Sequence, residues 1–72
     1  MSTATLISVT VNGDPRRIAA GATIAAMLRE IGIDPARVAV ELNLAIVPKS
    51  TLEAVPVSDG DQYEIVHFVG GG

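Results

Sequence analysis

Three glycines, Gly70, Gly71 and Gly72, are the residues of this sequence whose type and position best suit chemistry. Glycine has no Cβ, so a backbone made of it can pass through a channel that any side chain would block. When extended, residues 68–72 span up to roughly 17 Å, enough to reach a deep site on another protein. We therefore predict that Gly72 presents a carboxylate at the end of an arm formed by Gly70 and Gly71; a frayed chain end is the alternative.

A carboxylate on such an arm is a substrate for activation by a partner enzyme. It is ionised at neutral pH, and once positioned it attacks the α-phosphorus of ATP. The product is an acyl-adenylate, a mixed anhydride that is open to a sulfur nucleophile. The enzyme supplies the positioning and the stabilisation of charge. We therefore expect Gly72 to be the reacting residue and the chain to contain no catalytic residue of its own.

The other residue types that do chemistry form no catalytic or metal-binding set. His67 is the only histidine, and the absence of cysteine excludes disulfides, thiolate metal sites and a thiol nucleophile. Asp59 and Asp61 flank Gly60 in what we interpret as a solvated turn, with too few oxygen ligands for calcium or magnesium. We expect no metal site and no permanently bound cofactor.

Composition narrows the class of partner. The 72 residues carry a net charge of −3, and Tyr63 and Phe68 are the only aromatic residues. Neither a basic footprint for phosphates nor a stacking platform for bases is present, which argues against nucleic acid. No signal peptide and no membrane-spanning apolar run are visible. We expect a cytoplasmic protein that does not bind membranes.

The first half of the chain predicts a hairpin followed by a helix. Apolar and polar residues alternate over residues 6–11, which indicates a half-buried strand. A turn at residues 12–15 and a short second strand at 16–19 would complete the hairpin. Thr23 is a good helix cap. An apolar stripe over residues 24–31 then indicates a helix that Gly32 would end, with a brief helical turn starting at Asp34-Pro35.

The second half predicts three more strands. Alternation over residues 38–43 gives a third strand, residues 45–47 a short fourth at a sheet edge, and residues 63–69 the last, after a turn at 58–61. One helix packed on one face of a mixed sheet of about four to five strands satisfies this order. We predict an α+β β-grasp (ubiquitin-like) fold. A single domain would cover residues 1–69, with an N-terminal extension of residues 1–5 and a flexible tail of residues 70–72.

An ordered set of short motifs runs along the chain and ends on its last residue. The motifs are residues 11–13 (VNG), 20–23 (AGAT), 38–43 (VAVELN), 46–48 (IVP), 59–61 (DGD) and 65–72 (IVHFVGGG). In this order and spacing, from residue 6 onwards, the chain resembles the ThiS family, the sulfur carriers of thiamin biosynthesis. One departure stands out: the family usually has Asn-Gly after the third strand, where this chain has Asn43-Leu44. Leucine resists positive φ, so we expect a different or looser turn and an exposed Leu44.

The resemblance implies a function and a set of partners. A ThiF-like adenylating enzyme would use ATP and magnesium, a persulfide would donate sulfur, and a ThiG-like thiazole synthase would receive it. Gly72 would carry the thiocarboxylate, and Gly70 and Gly71 would enter the partners' active sites. Three alternatives remain: a sulfur carrier for molybdopterin synthesis, a ubiquitin-like protein modifier, and a plain interaction module with an idle tail.

Overall fold

The computed structural model describes residues 5–68 and has five strands and one α-helix within them. The elements are β1 Leu6–Val11, β2 Asp14–Ala19, α1 Ile24–Glu30, β3 Val38–Leu42, β4 Ala45–Val47 and β5 Gln62–His67, with short 3₁₀ helices at Pro35–Arg37 and Lys49–Thr51. The sheet order is β2-β1-β5-β3-β4. Only β1 and β5 pair in parallel, and the other neighbours are antiparallel. The predicted α+β β-grasp architecture is confirmed.

The helix begins and ends where the sequence predicts. The hydroxyl of Thr23 accepts a hydrogen bond of 3.1 Å from the N–H of Ala26, which satisfies one orphan donor of the first turn. At the other end Gly32 has φ +87°, and the N–H of Ile33 donates to the carbonyl of Leu28 at 2.8 Å. This is a Schellman ending, which only a residue tolerant of positive φ supports.

The core lies between the helix and one face of the sheet. It contains thirteen buried apolar residues: Val9, Val11, Ile18, Ile24, Ala25, Met27, Leu28, Val38, Val40, Leu52, Val57, Tyr63 and Ile65. They come from α1, from every strand except β4, and from the segment between β4 and β5. None of the helices within residues 5–68 has the length and apolar character needed to cross a bilayer.

The β3–β4 turn corrects the expectation of a looser loop. Asn43 and Leu44 both have positive φ, +51° and +74°, and Leu42 pairs with Ala45 across them. This is a two-residue primed turn, formed despite the leucine. Asn43 is tied to β5, because its N–H donates to the carbonyl of Gln62 and its side-chain oxygen accepts from the Gln62 N–H. Leu44 is 89% exposed, as expected.

Three strands have boundaries that differ from the prediction, and one of them, β3, ends at Leu42 rather than at residue 43. The second strand starts at Asp14 rather than at residue 16, because Asn12 and Gly13 alone form the turn. The last strand covers Gln62–His67, and residue 69, where it was predicted to end, lies outside the described residues. The division into a domain of residues 1–69 and a tail of residues 70–72 stays a prediction.

Candidate functional site

The predicted site residues Gly70, Gly71 and Gly72 lie outside the described residues 5–68, and their roles stay predictions. The structure does define the strand that leads to them. β5 occupies the centre of the sheet, flanked by β1 and β3. The last described residue, Phe68, is therefore joined to the most enclosed strand of the fold.

The end of β5 is held from the β3 side. Val38 pairs with His67, and the next residue, Phe68, donates its N–H to the carbonyl of Arg37 at 3.0 Å. The Phe68 ring lies 4.4 Å from the ammonium of Lys49, measured to the ring centroid. That ammonium also donates to the carbonyl of Ala36 at 2.8 Å. Both the backbone and the ring of Phe68 thus have partners.

The middle of β5 is held from the β1 side by a side chain. The parallel ladder between β1 and β5 has only two register pairs. Beyond it, the Asn12 carboxamide oxygen accepts from the N–H of Ile65 at 2.7 Å, and the Asn12 amide donates to the Ile65 carbonyl at 3.2 Å. Asn12 therefore extends the pairing of β5 toward its C-terminal end.

The turn before β5 is only partly the solvated turn that we predicted. Asp59 is exposed, and it accepts a hydrogen bond from the N–H of Ser8 at 2.8 Å. Asp61 is only 8% exposed, and its carboxylate accepts from the N–H of Ser58 at 2.9 Å and from the hydroxyl of Tyr63 at 2.8 Å. Both carboxylates thus hold the loop that starts β5.

Tyr63 is the one group here whose acidity the fold changes strongly. Burial raises the pKa of the Tyr63 hydroxyl, and the hydrogen bond to Asp61 raises that pKa further. The phenol therefore stays neutral far above physiological pH, where it serves as a hydrogen-bond donor. Sequence analysis missed the pair of Asp61 and Tyr63. The signal in the sequence is the spacing of two residues, because side chains two apart in an extended segment point to the same face of the sheet.

The face of the sheet opposite the helix exposes three apolar side chains, with two glutamates on the same face. Val66 and Phe68 are 61% and 59% exposed, and Ile46 on the edge strand is 79% exposed. Ile46 lies opposite Glu41, which in turn lies opposite Glu64. We call Ile46, Val66 and Phe68 the open-face patch. Exposed apolar patches of this kind are typical of protein-binding surfaces.

The sequence predicts no metal site anywhere in the chain, and the structure bears on this only for residues 5–68. Within residues 5–68, no cluster of three or more His, Asp or Glu side chains is arranged to bind a metal ion. His67 is exposed at the end of β5. The described residues thus present a strand end with backbone and ring contacts, next to the exposed apolar side chains of the open-face patch.

Two solved structures to which this chain is similar are of thiamine biosynthesis proteins. The ThiS family model matches residues 9–72 of this chain. A crystal structure of the thiamine biosynthesis protein ThiS from Geobacter metallireducens is similar with a TM-score of 0.76 and 32% identity, covering 92% of this chain and 100% of that one. A solution NMR structure of a thiamine biosynthesis protein from the same organism has a TM-score of 0.72 and 33% identity, covering 92% and 88%.

Curated relatives include much longer proteins. The chain is 50% identical over 66 residues to a thiazole synthase of Paramagnetospirillum magneticum and 42% identical to one of Magnetococcus marinus. These matches cover 92% of this chain but only 20% of each relative, so the chain spans about a fifth of their length. An uncharacterized protein, ycf40, of Pyropia yezoensis is 32% identical and is covered over 93% of its length.

Proposed function

The chain belongs to the ThiS family, the non-catalytic sulfur carriers of thiamine biosynthesis, and from this premise we propose that Gly72 is the residue that carries the sulfur. The match to the family extends from residue 9 to Gly72, and this observation carries the proposal. It favours the thiazole branch over a carrier for molybdopterin synthesis and over a protein modifier.

The proposed chemistry takes place on the Gly72 carboxylate in three steps. A carboxylate oxygen attacks the α-phosphorus of ATP on a ThiF-like adenylating enzyme with magnesium, and pyrophosphate leaves. A persulfide sulfur then attacks the acyl-adenylate and AMP leaves. After reductive cleavage of the resulting acyl disulfide by a thiol, the carrier holds a thiocarboxylate. Gly70 and Gly71 enter the partner's active site, where side chains would collide with its walls.

A thiazole synthase is the proposed acceptor of the sulfur. The relatives named thiazole synthase match this chain over about a fifth of their length. In those proteins a domain similar to this chain is therefore part of a longer polypeptide. A covalent link raises the effective concentration of two partners that must meet. We propose that a ThiG-like enzyme receives the sulfur that this domain carries.

The open-face patch supports a role in docking. Ile46, Val66 and Phe68 are exposed on the face that the helix leaves uncovered, and Phe68 is four residues from Gly72. A partner that covers this patch would therefore have Gly72 within about 14 Å of its contact surface. Binding of the body and delivery of the carboxylate would then occur on one partner in one encounter.

Intact mass spectrometry tests the proposed function. The carrier is incubated with its cognate adenylating enzyme, ATP, magnesium and a persulfide donor. We expect replacement of one oxygen by sulfur, mapped by fragmentation to Gly72, and only adenylation when the donor is omitted. A chain lacking residues 71 and 72 is the matched control and should gain no sulfur. An unchanged mass with an enzyme that is active on another carrier would contradict the proposal.

A further inference from the structure

Lys49 binds the last described residue from outside its strand. It lies two residues beyond the edge strand β4, yet its ammonium lies 4.4 Å from the centroid of the Phe68 ring. The hydrogen bond of 2.8 Å to the carbonyl of Ala36 fixes the position of that ammonium. Because a cation over a ring face is attracted by the ring quadrupole, Lys49 holds the Phe68 ring in place.

The backbone of Phe68 is hydrogen-bonded to Arg37, the residue after the one that Lys49 contacts. Its N–H donates to the carbonyl of Arg37 at 3.0 Å, so the short 3₁₀ helix Pro35–Arg37 presents consecutive carbonyls, one to Lys49 and one to Phe68. The Phe68 side chain is nevertheless more than half exposed and lies outside the buried core. These contacts therefore do little for core packing, while they fix where β5 ends.

We propose that Lys49 is a positioning residue for the Gly72 carboxylate, because it fixes the point from which residues 69–72 extend. This inference rests on the proposed function. Four residues beyond a fixed Phe68 reach about 14 Å, whereas release of residue 68, with His67 still paired to Val38, would lengthen the reach to about 17 Å. The volume open to the carboxylate would rise about twofold, and its effective concentration at a partner's site would fall accordingly.

Steady-state kinetics of adenylation tests the role of Lys49. The cognate adenylating enzyme is assayed by ATP–pyrophosphate exchange with the carrier as the varied substrate. Lys49→Met keeps the aliphatic stem but removes the cation and the donor, and it should raise KM for the carrier by up to about twofold with kcat unchanged. Lys49→Arg retains both a cation and a donor and should restore KM to near the wild-type value.

A double-mutant cycle separates the contact from other effects. Phe68→Leu removes the ring, and if the two residues act together the double variant with Lys49→Met should have a KM no higher than the worse single variant. Arg16→Met removes a positive charge on β2, at the opposite edge of the sheet, and should leave KM unchanged. Additive effects in the cycle, or an equal effect of Arg16→Met, would overturn the inference.

Hydrogen exchange of the carrier alone, without any partner, also tests the contact between Lys49 and Phe68. Lys49→Met should speed exchange of the Phe68 N–H about two- to fivefold, the range for losing an exposed cation–π contact, and leave the Val40 N–H unchanged.

The adenylation assay separates failure of the inference from failure of the proposed function. If the wild-type carrier is not adenylated by an active enzyme, the proposed function fails. If it is adenylated and Lys49→Met has the wild-type KM, the proposed function stands and the inference about Lys49 fails.

Discussion

The carboxamide of Asn12 pairs with the backbone of Ile65 through two hydrogen bonds, of 2.7 and 3.2 Å, across 53 positions of sequence. Asn12 is also the first residue of the β1–β2 turn, with φ +51°. The backbone of β1 turns away from β5 at Asn12, so no further backbone group of β1 can pair with Ile65. The Asn12 side chain makes those two hydrogen bonds instead. One residue thereby ends one hairpin and continues the pairing of the central strand.

We expect Asn12→Ala to lower the free energy of unfolding by about 2–4 kcal/mol. The change leaves the N–H and the carbonyl of Ile65 without these partners, at a typical cost of about 1–3 kcal/mol, and it places alanine at a positive φ that asparagine tolerates better. Asn12→Gly is the matched control, because glycine adopts this φ without strain. Urea unfolding should rank wild type above Asn12→Gly and Asn12→Gly above Asn12→Ala; equal stability of all three would contradict this account.

Most of the fold could be predicted because its signals are local. The alternation of residues 6–11 and 38–42, the Thr23 cap and Gly32 each depend on a few neighbouring residues. Contacts between distant segments carried no such signal. The pairing of Asn12 with Ile65 requires the register of β1 and β5 to be known first, and so does the position of Lys49 against Phe68.

The expectation for the β3–β4 turn was wrong because local preference was overridden. Leucine disfavours positive φ by roughly 1–2 kcal/mol, but strand pairing on both sides of the turn and two hydrogen bonds to Gln62 hold it there. The candidate site could be predicted only in part. The glycines are readable from the sequence, whereas the contacts that fix Phe68 depend on tertiary structure.

Leu44→Gly should raise the free energy of unfolding by about 0.5–1 kcal/mol. Relief of the strain at φ +74° outweighs the larger conformational entropy of glycine in the unfolded chain. Leu44→Ala removes the same exposed side chain but keeps the Cβ, so it should change stability little. Chemical denaturation of both variants checks this; a gain in Leu44→Ala equal to that in Leu44→Gly would assign the effect to side-chain exposure instead.

Tyr63 should make the protein less stable at alkaline pH. Burial and the bond to Asp61 raise the pKa of Tyr63 in the folded state above its ordinary value of about 10. The folded protein therefore keeps a proton that the unfolded chain loses, so this stabilisation is complete below about pH 10 and declines as pH rises further. Tyr63 is the only tyrosine, so tyrosinate absorbance follows its ionisation directly.

The matched variant for Tyr63 is Tyr63→Phe. It removes the hydroxyl that donates to Asp61 at 2.8 Å and should cost about 1–2 kcal/mol near neutral pH, because a buried carboxylate loses one donor. Its stability should fall less steeply than that of the wild type above pH 10. Parallel pH profiles for the two proteins would show that Tyr63 does not titrate differently in the folded and unfolded states.

Gly71→Val should abolish most adenylation and leave the fold intact. Under the proposed function, residue 71 passes through the partner's active site, and a β-branched side chain would collide with a channel that glycine fits. Gly71→Ala, which adds a single methyl group, should give an intermediate rate. The measurements are ATP–pyrophosphate exchange with the cognate enzyme and urea unfolding of each variant. A normal rate of exchange for Gly71→Val, at unchanged stability, would mean that the channel does not select glycine and that Gly72 is reached in another way.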